Sequence, residues 1–226
     1  MATAERALYR LMAWLSPSFP VGSYTYSHGL ETAVEDGLVA NRADLQAWVE
    51  DLVSWGSARN DAVLLTAAWQ AACAEDGDRC AQVREMAAAL HATAELRLES
   101  TQQGAAFRDA VRRSWPAPGV ERLGGAMPLA YPVAVGVTAA AHGVPLRPTL
   151  HAYLHAFAAN LVSAGVRLVP LGQTDGQRVL AAVETTVAET ASFAETATLD
   201  DLGTFSIVAD LCSMRHETQY TRLFRS

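Results

Sequence analysis

The chain has 226 residues, half of them apolar, and a formal net charge of −7. A chain of this length and composition can bury a proper core. Its acidic balance disfavours a nucleic-acid binder, because such proteins usually carry a basic stripe. All 17 basic residues are arginine. The absence of lysine excludes a Walker-type phosphate loop, a Schiff-base lysine and a Ser-x-x-Lys nucleophile.

The cysteines indicate a reducing compartment. Cys73, Cys80 and Cys212 form no C-x-x-C pair, and their number is odd. A disulfide framework or a structural zinc site is therefore not expected. The amino terminus lacks the unbroken apolar stretch of a signal peptide. We predict a cytoplasmic protein.

Two regions are apolar enough to raise the question of a membrane. Residues 123–146 are interrupted by prolines and glycines, and residues 150–169 carry polar side chains in their middle. A membrane span needs about 20 mostly apolar residues without such interruptions. Both regions are therefore predicted to be buried helices, and no membrane segment is expected.

The first half of the chain has helical periodicity and no sustained apolar/polar alternation. A first helix is predicted over residues 4–15, and it ends at Ser16 and Pro17. Asn41 is the predicted N-cap of the next long helix, whose apolar face repeats at helical spacing. Further helices are predicted over residues 61–74, 78–91 and 95–115.

The second half follows the same pattern after a connector rich in proline and glycine at residues 116–128. Helices are predicted over residues 133–142, from Pro148 to 169, and over about 180–194. The final helix is predicted to place Asp200 and Asp201 at its positive end, with an apolar stripe formed by Leu202, Phe205, Ala209 and Cys212. About ten helices without strands predict an all-α fold, with residues 1–226 as a single domain and the connector as a weak boundary.

The loop from Ser16 to Glu31 contains serines beside a histidine, which raises the possibility of a nucleophile and its base. Ser27 and His28 are adjacent on a predicted helix, so their side chains do not face each other. Ser23 lies in no G-x-S-x-G elbow, and no third orienting group is evident. We predict a rigid aromatic binding loop and no catalytic residue.

Two residue pairs have the i, i+4 spacing of metal ligands on a helix: His151 with His155, and Cys212 with His216. Thiolate and imidazole groups suit nickel or zinc. Each pair has only two ligands, fewer than a stable site needs. The simpler interpretation is that these residues are buried in the core, so no tightly bound cofactor is predicted.

The carboxyl-terminal tail, residues 216–226, mixes aromatic, aliphatic and cationic groups. Tyr220, Leu223 and Phe224 are too apolar for a tail that stays in solvent. The guanidinium forks of Arg222 and Arg225 suit carboxylate or phosphate partners. The tail is therefore predicted to dock either on its own domain or on another chain.

Four segments together resemble the family of the urease accessory protein UreF. They are LSPSFPVGSYTYSHGLE at residues 15–31, YPVAVG at 131–136, AGVRLVPLGQTDGQ at 164–177 and HETQYTRLFRS at 216–226. They occur in the family's order over nearly the whole chain, whereas residues 36–115 match only in helical character. The resemblance implies an all-α, non-enzymatic homodimer that functions in urease maturation.

The resemblance also implies partners. UreF proteins bind UreD (also called UreH) and recruit the GTPase UreG to apo-urease, whose active site receives two nickel ions. Nickel is thus implied through the pathway, and the nucleotide chemistry belongs to UreG. The partner-binding surface implied for this chain comprises Gly22, Ser23, Tyr24, His216, Glu217, Tyr220, Arg222, Leu223, Phe224 and Arg225.

Three points stay open at the level of sequence. UreD is expected to order the tail, and the helix within residues 150–169 belongs either to the core or to the dimer interface. A tail arginine, Arg222 or Arg225, could regulate GTP hydrolysis by UreG. Alternatively, one of the two metal-ligand pairs could carry nickel directly.

Overall fold

The computed structural model describes residues 3–124 and 127–225, and every regular element in this part of the chain is helical. The all-α prediction is confirmed. Two short 3₁₀ turns, Ser23–Thr25 and Leu199–Asp201, accompany the α-helices. The α-helices within the described residues are α1 (Thr3–Trp14), α2 (Leu30–Glu35), α3 (Arg42–Ser54), α4 (Ser57–Cys73), α5 (Gly77–Ala89), α6 (Ala94–Ser114), α7 (Pro118–Glu121), α8 (Tyr131–Ala141), α9 (Leu146–Leu168), α10 (Gln173–Ala182), α11 (Glu184–Thr196) and α12 (Ile207–His216).

The centre of the fold is a close packing of α8 against α4 on one side and α6 on the other. Small residues make this possible. A Cβ added to Gly136 of α8 would lie 2.5 Å from the carbonyl oxygen of Leu65 on α4. A Cβ on Gly104 of α6 would lie 2.0 Å from the carbonyl oxygen of Leu129, just before α8. The three helix backbones therefore approach at distances that only glycine permits.

The two apolar regions of the sequence become α8 and α9, which are buried as predicted. α9 begins at Leu146, earlier than predicted, because proline is tolerated in the first turn of a helix and Pro148 lies there. Its residues Leu150, Leu154 and Leu161 are fully buried in the chain's own core. Across residues 3–124 and 127–225, no helix combines the length and the apolarity needed to cross a bilayer.

The final helix starts later than predicted. α12 begins at Ile207, and Asp200 and Asp201 belong to the preceding 3₁₀ turn instead of the helix. The main-chain N–H of Phe205 donates to the carbonyl oxygen of Trp55 at 2.8 Å. This segment is not helical, so helical spacing does not apply to it. Phe205 is consequently 75% exposed, which corrects its predicted place on the buried stripe, whereas Ala209 and Cys212 are buried as predicted.

Candidate protein-binding site

The tail docks on its own chain. After α12 ends, the carboxylate of Glu31 on α2 accepts the main-chain N–H groups of Leu223 and Phe224 at 2.7 and 3.0 Å. The N–H of Arg225 donates to the carbonyl oxygen of Thr25 at 2.7 Å. Of the two predicted alternatives, the structure shows docking on the chain's own surface. Ser226 lies outside the described residues.

His216 is the anchor at the base of the tail. Its side chain is fully buried, with Nδ1 2.7 Å from Glu95 and Nε2 3.2 Å from Glu31. Carboxylate oxygens accept hydrogen bonds, so the buried ring lies between two acceptors. Arg222 also pairs with Glu95. The two carboxylates thus contact His216 and Arg222 together, so these polar groups all have partners within the chain.

Further polar contacts bind the tail to α2 and α6. The Glu217 carboxylate accepts the N–H groups of Ala94 and Glu95 at 2.8 and 3.3 Å, at the positive end of α6. The hydroxyl of Thr32 donates to the Gln219 side-chain carbonyl at 2.8 Å. The Arg215 fork pairs with both carboxylate oxygens of Asp36. Together these contacts join α2, α6, α12 and the tail.

The tail meets the aromatic loop at Arg167, near the end of α9. Its guanidinium lies over the ring of Phe224, 4.5 Å from Cζ to the ring centroid. The same guanidinium donates to the carbonyl oxygen of Tyr24 at 3.0 Å. Gly22 precedes this 3₁₀ turn with φ of 77°, a conformation that favours glycine.

The residues expected to bind partners differ in their exposure, and Gly22 and Ser23 are partly exposed. Tyr24, Tyr220 and Leu223 are 64%, 103% and 76% exposed, so their side chains are available to another protein. His216 and Phe224 are buried. Their side chains contact this chain's own residues, and their predicted place on the partner-binding surface stays a prediction. Glu217, Arg222 and Arg225 lie on the exposed side of the tail, although Glu217 and Arg222 also make the contacts above.

A second polar cluster lines a pocket of about 250 Å³. His28 faces Glu99 at 3.1 Å, and the Gln103 side chain donates to the same Glu99 oxygen at 2.9 Å. The Tyr153 hydroxyl donates to Asp61 at 2.7 Å. Burial raises the pKa of Asp61 to about 7. Burial disfavours the cationic form of His28, but the charge and hydrogen bond of Glu99 outweigh this and raise its pKa.

The geometry around His28 does not support a nucleophile. α2 begins at Leu30, so the predicted placement of Ser27 and His28 on a helix is wrong; His28 has φ of 52° in the preceding turn. Ser57 Oγ lies 3.5 Å from His28 Nδ1. Glu99 favours the imidazolium form, which cannot accept a hydroxyl proton. The arrangement is better explained as a buried ion pair.

The metal-ligand pairs gain no third ligand. In residues 3–124 and 127–225, no three His, Cys, Asp or Glu side chains are arranged to hold a metal ion. Both ring nitrogens of His216 face carboxylates. Burial raises the pKa of Cys212, which disfavours the thiolate that binds metals. His151 is partly exposed and His155 is exposed on α9.

Sequence reasoning did not single out the groups that anchor the tail. Glu31 stands within the distinctive segment 15–31, but nothing local distinguishes it from a solvated carboxylate. Glu95 lies in the first turn of α6, where acidic residues are common because of the helix dipole. Arg167 similarly resembles a basic residue that complements the end of α9.

The fold and this site define an all-α protein whose carboxyl-terminal tail is anchored across two of its own helices beside an exposed aromatic loop. The sequence model of the UreF family matches residues 39–184. The urease accessory protein UreF of Bradyrhizobium diazoefficiens is 53% identical over 100% of this chain and 94% of its own length. The proteins of that name from Rhodopseudomonas palustris strain TIE-1 and Xanthobacter autotrophicus are 53% and 52% identical over 100% of this chain and 95% and 93% of their own lengths. The chain belongs to the UreF family.

Proposed function

We propose that this chain is a cytoplasmic urease accessory protein that functions as a scaffold. In this proposal it binds UreD and presents the GTPase UreG to apo-urease, so that nickel is inserted. One observation carries the proposal: the docked tail and the Tyr24 loop are held together by direct contacts and expose aromatic and aliphatic side chains. Membership of a family whose relatives are named urease accessory proteins supports the pathway.

The exposed side chains suit a protein partner. Interfaces are enriched in tyrosine and arginine, which combine apolar area with polar groups. Tyr24 and Tyr220 are exposed tyrosines of this kind. Arg222 lies on the tail between Tyr220 and Leu223. We propose that UreG contacts this surface.

Two further apolar faces are available for UreD and for a second copy of the chain. Contiguous exposed apolar groups of this kind mark interaction sites. On α1 the exposed residues are Leu8, Tyr9 and Met12. On α12 and the segment before it they are Phe205, Ile207, Val208, Leu211 and Met214.

The contacts of Arg222, and the burial of Cys212 and His216, favour the scaffold over a GTPase-regulating Arg222 and over nickel transport by that ligand pair. An arginine that stimulates a GTPase must reach the partner's nucleotide. Arg222 instead pairs with Glu95 and lies near the carbonyl oxygen of His216. Direct nickel transport through Cys212 and His216 requires free ligand atoms, and both are buried.

Co-purification tests the proposal. Tagged wild-type chain is expected to retain UreD and UreG together, whereas Tyr24→Ala and Leu223→Ala retain UreD and lose UreG at least about tenfold, the loss expected for interface hot spots. Met86→Ala, an exposed apolar residue on α5, is the matched control and is expected to behave as wild type. Wild-type chain that retains neither partner, or both variants retaining UreG fully, would refute the proposal.

A further inference from the structure

We propose that Arg167 is a positioning residue that locks the tail and the Tyr24 loop into one rigid surface. The consequence of this inference for UreG binding rests on the proposed function. Its structural part concerns only the chain itself. Tyr24 and Phe224 are 200 positions apart, and the guanidinium of Arg167 contacts both of them.

The guanidinium is held in one orientation from three sides. Its Nε donates to the carbonyl oxygen of Ser163 at 3.1 Å, one turn earlier in α9. Its Nη2 donates to the carbonyl oxygen of Tyr24, and its Cζ lies over the ring of Phe224. A planar fork can stack and donate at its edge simultaneously.

The contact of Arg167 with Phe224 lies where the tail meets the loop. Phe224 is buried, although most of the tail is exposed, so its ring fixes the end of the tail. The next residue, Arg225, donates its N–H to Thr25 in the loop at 2.7 Å. Within the loop, the 3₁₀ turn Ser23–Thr25 has no buried residue. The bonds from the tail and α9 hold this turn at Thr25 and Tyr24, next to the buried Tyr26.

Lysine cannot replace this arginine. A lysine ammonium would keep the positive charge near the carboxyl-terminal end of α9, where the helix dipole favours cations. It has no plane to stack on Phe224 and no second nitrogen to reach Ser163 and Tyr24 together. Arg167→Lys therefore removes the planar guanidinium while it keeps the positive charge.

Hydrogen exchange on the isolated chain tests the coupling. In Arg167→Lys and Arg167→Ala, the amide of Arg225 and the amides of residues 22–26 are expected to exchange about tenfold faster together, the effect of losing one charged hydrogen bond and a stacking contact. Arg178→Ala is the control, because that arginine pairs with Asp175 on exposed α10. Unchanged exchange, or faster exchange in only one of the two segments, would overturn the proposal.

A second readout separates this inference from the proposed function. In co-purification with UreD and UreG, Arg167→Lys is expected to lose UreG several-fold while retaining UreD. If wild-type chain binds no UreG but the exchange result holds, the proposed function fails and the coupling stands. If the amides of the tail and the loop do not exchange faster together while UreG binding is normal, the positioning role of Arg167 is refuted and the proposed function is not.

Discussion

The carboxylate of Glu31 accepts the main-chain N–H of Phe224 at 3.0 Å, across 193 positions of the sequence. The same carboxylate accepts Leu223 N–H and faces His216 Nε2. One buried acidic side chain therefore fixes both the base of the tail and its end. The exposed surface that the tail offers to a partner depends on this internal contact.

Glu31→Gln is expected to destabilise the chain by about 3 kcal/mol, because it removes a buried carboxylate that accepts two main-chain N–H groups of the tail and faces His216. The amide also presents hydrogens to groups that donate to Glu31. Urea unfolding at neutral pH measures the effect. Glu189→Gln, an exposed position on α11, is expected to change stability by less than about 0.5 kcal/mol. Equal stability of the two variants would contradict the anchoring role.

Gly29→Ala is expected to damage the packing of α2 against α12. Gly29 has φ of +75°, and an added Cβ would lie 2.7 Å from the main-chain nitrogen of Ser213. Gly37 has nearly the same φ, +74°, but open space around it. Gly37→Ala should thus cost about 1–2 kcal/mol from backbone strain alone, and Gly29→Ala clearly more. Thermal unfolding of both variants measures the difference, and equal losses would exclude the close approach as its cause.

The stability contributed by Asp61 and His28 is expected to fall as the pH rises from 5 to 8, whereas His91 and His142, whose pKa values burial lowers, act in the opposite direction. The pKa of Asp61 is raised from 3.8 to about 7, and that of His28 is raised above 6.5. Both folded-state values exceed the unfolded ones, so the folded chain binds more protons. Their stabilising contribution is complete below the unfolded pKa values and is lost as the pH rises through the folded ones.

Asp61→Asn isolates the carboxyl group's part in this behaviour. The amide oxygen can still accept the Tyr153 hydroxyl, but no charge develops beside the pocket. The variant should have a flatter pH profile and exceed wild type at pH 8 by an amount of order 1 kcal/mol. Urea midpoints at pH 5, 6.5 and 8 measure this. Asp78→Asn, on an exposed turn of α5, should keep the wild-type slope; an unchanged slope in Asp61→Asn would contradict the assignment.

The reactivity of Cys212 measures the opening of α12, the helix that precedes the tail. It is 3% exposed on α12, whereas Cys73 is exposed at the end of α4. With a disulfide-exchange reagent, Cys73 is expected to react at least about tenfold faster than Cys212, because a buried thiol must wait for local opening. Glu31→Gln should accelerate Cys212 and leave Cys73 unchanged. Peptide mapping by mass spectrometry distinguishes the two sites, and acceleration at both would indicate general unfolding.

The helices were predictable because their signals are local. The Asn41 side chain accepts the N–H groups of Ala43 and Asp44 at 2.8 and 3.2 Å, as its N-cap position predicts. The final helix was misplaced because Leu202 and Phe205 match helical spacing by chance. Bonds to residues about 150 positions earlier hold that segment out of the helix, among them Phe205 N–H to Trp55 and Gly203 N–H to Asn60.

By itself, the sequence determined an all-helical chain without lysine chemistry, with a distinctive loop and a tail too apolar to remain in solvent. Periodicity, caps and composition act over a few residues, so they can be read in one dimension. Only the tertiary structure decided where the tail docks, which of its residues are anchors, and that Arg167 joins it to Tyr24. The contacts of His216 with Glu95 and of Arg167 with Tyr24 connect positions more than 120 residues apart. Their pairing depends on how the helices pack, which no local pattern encodes.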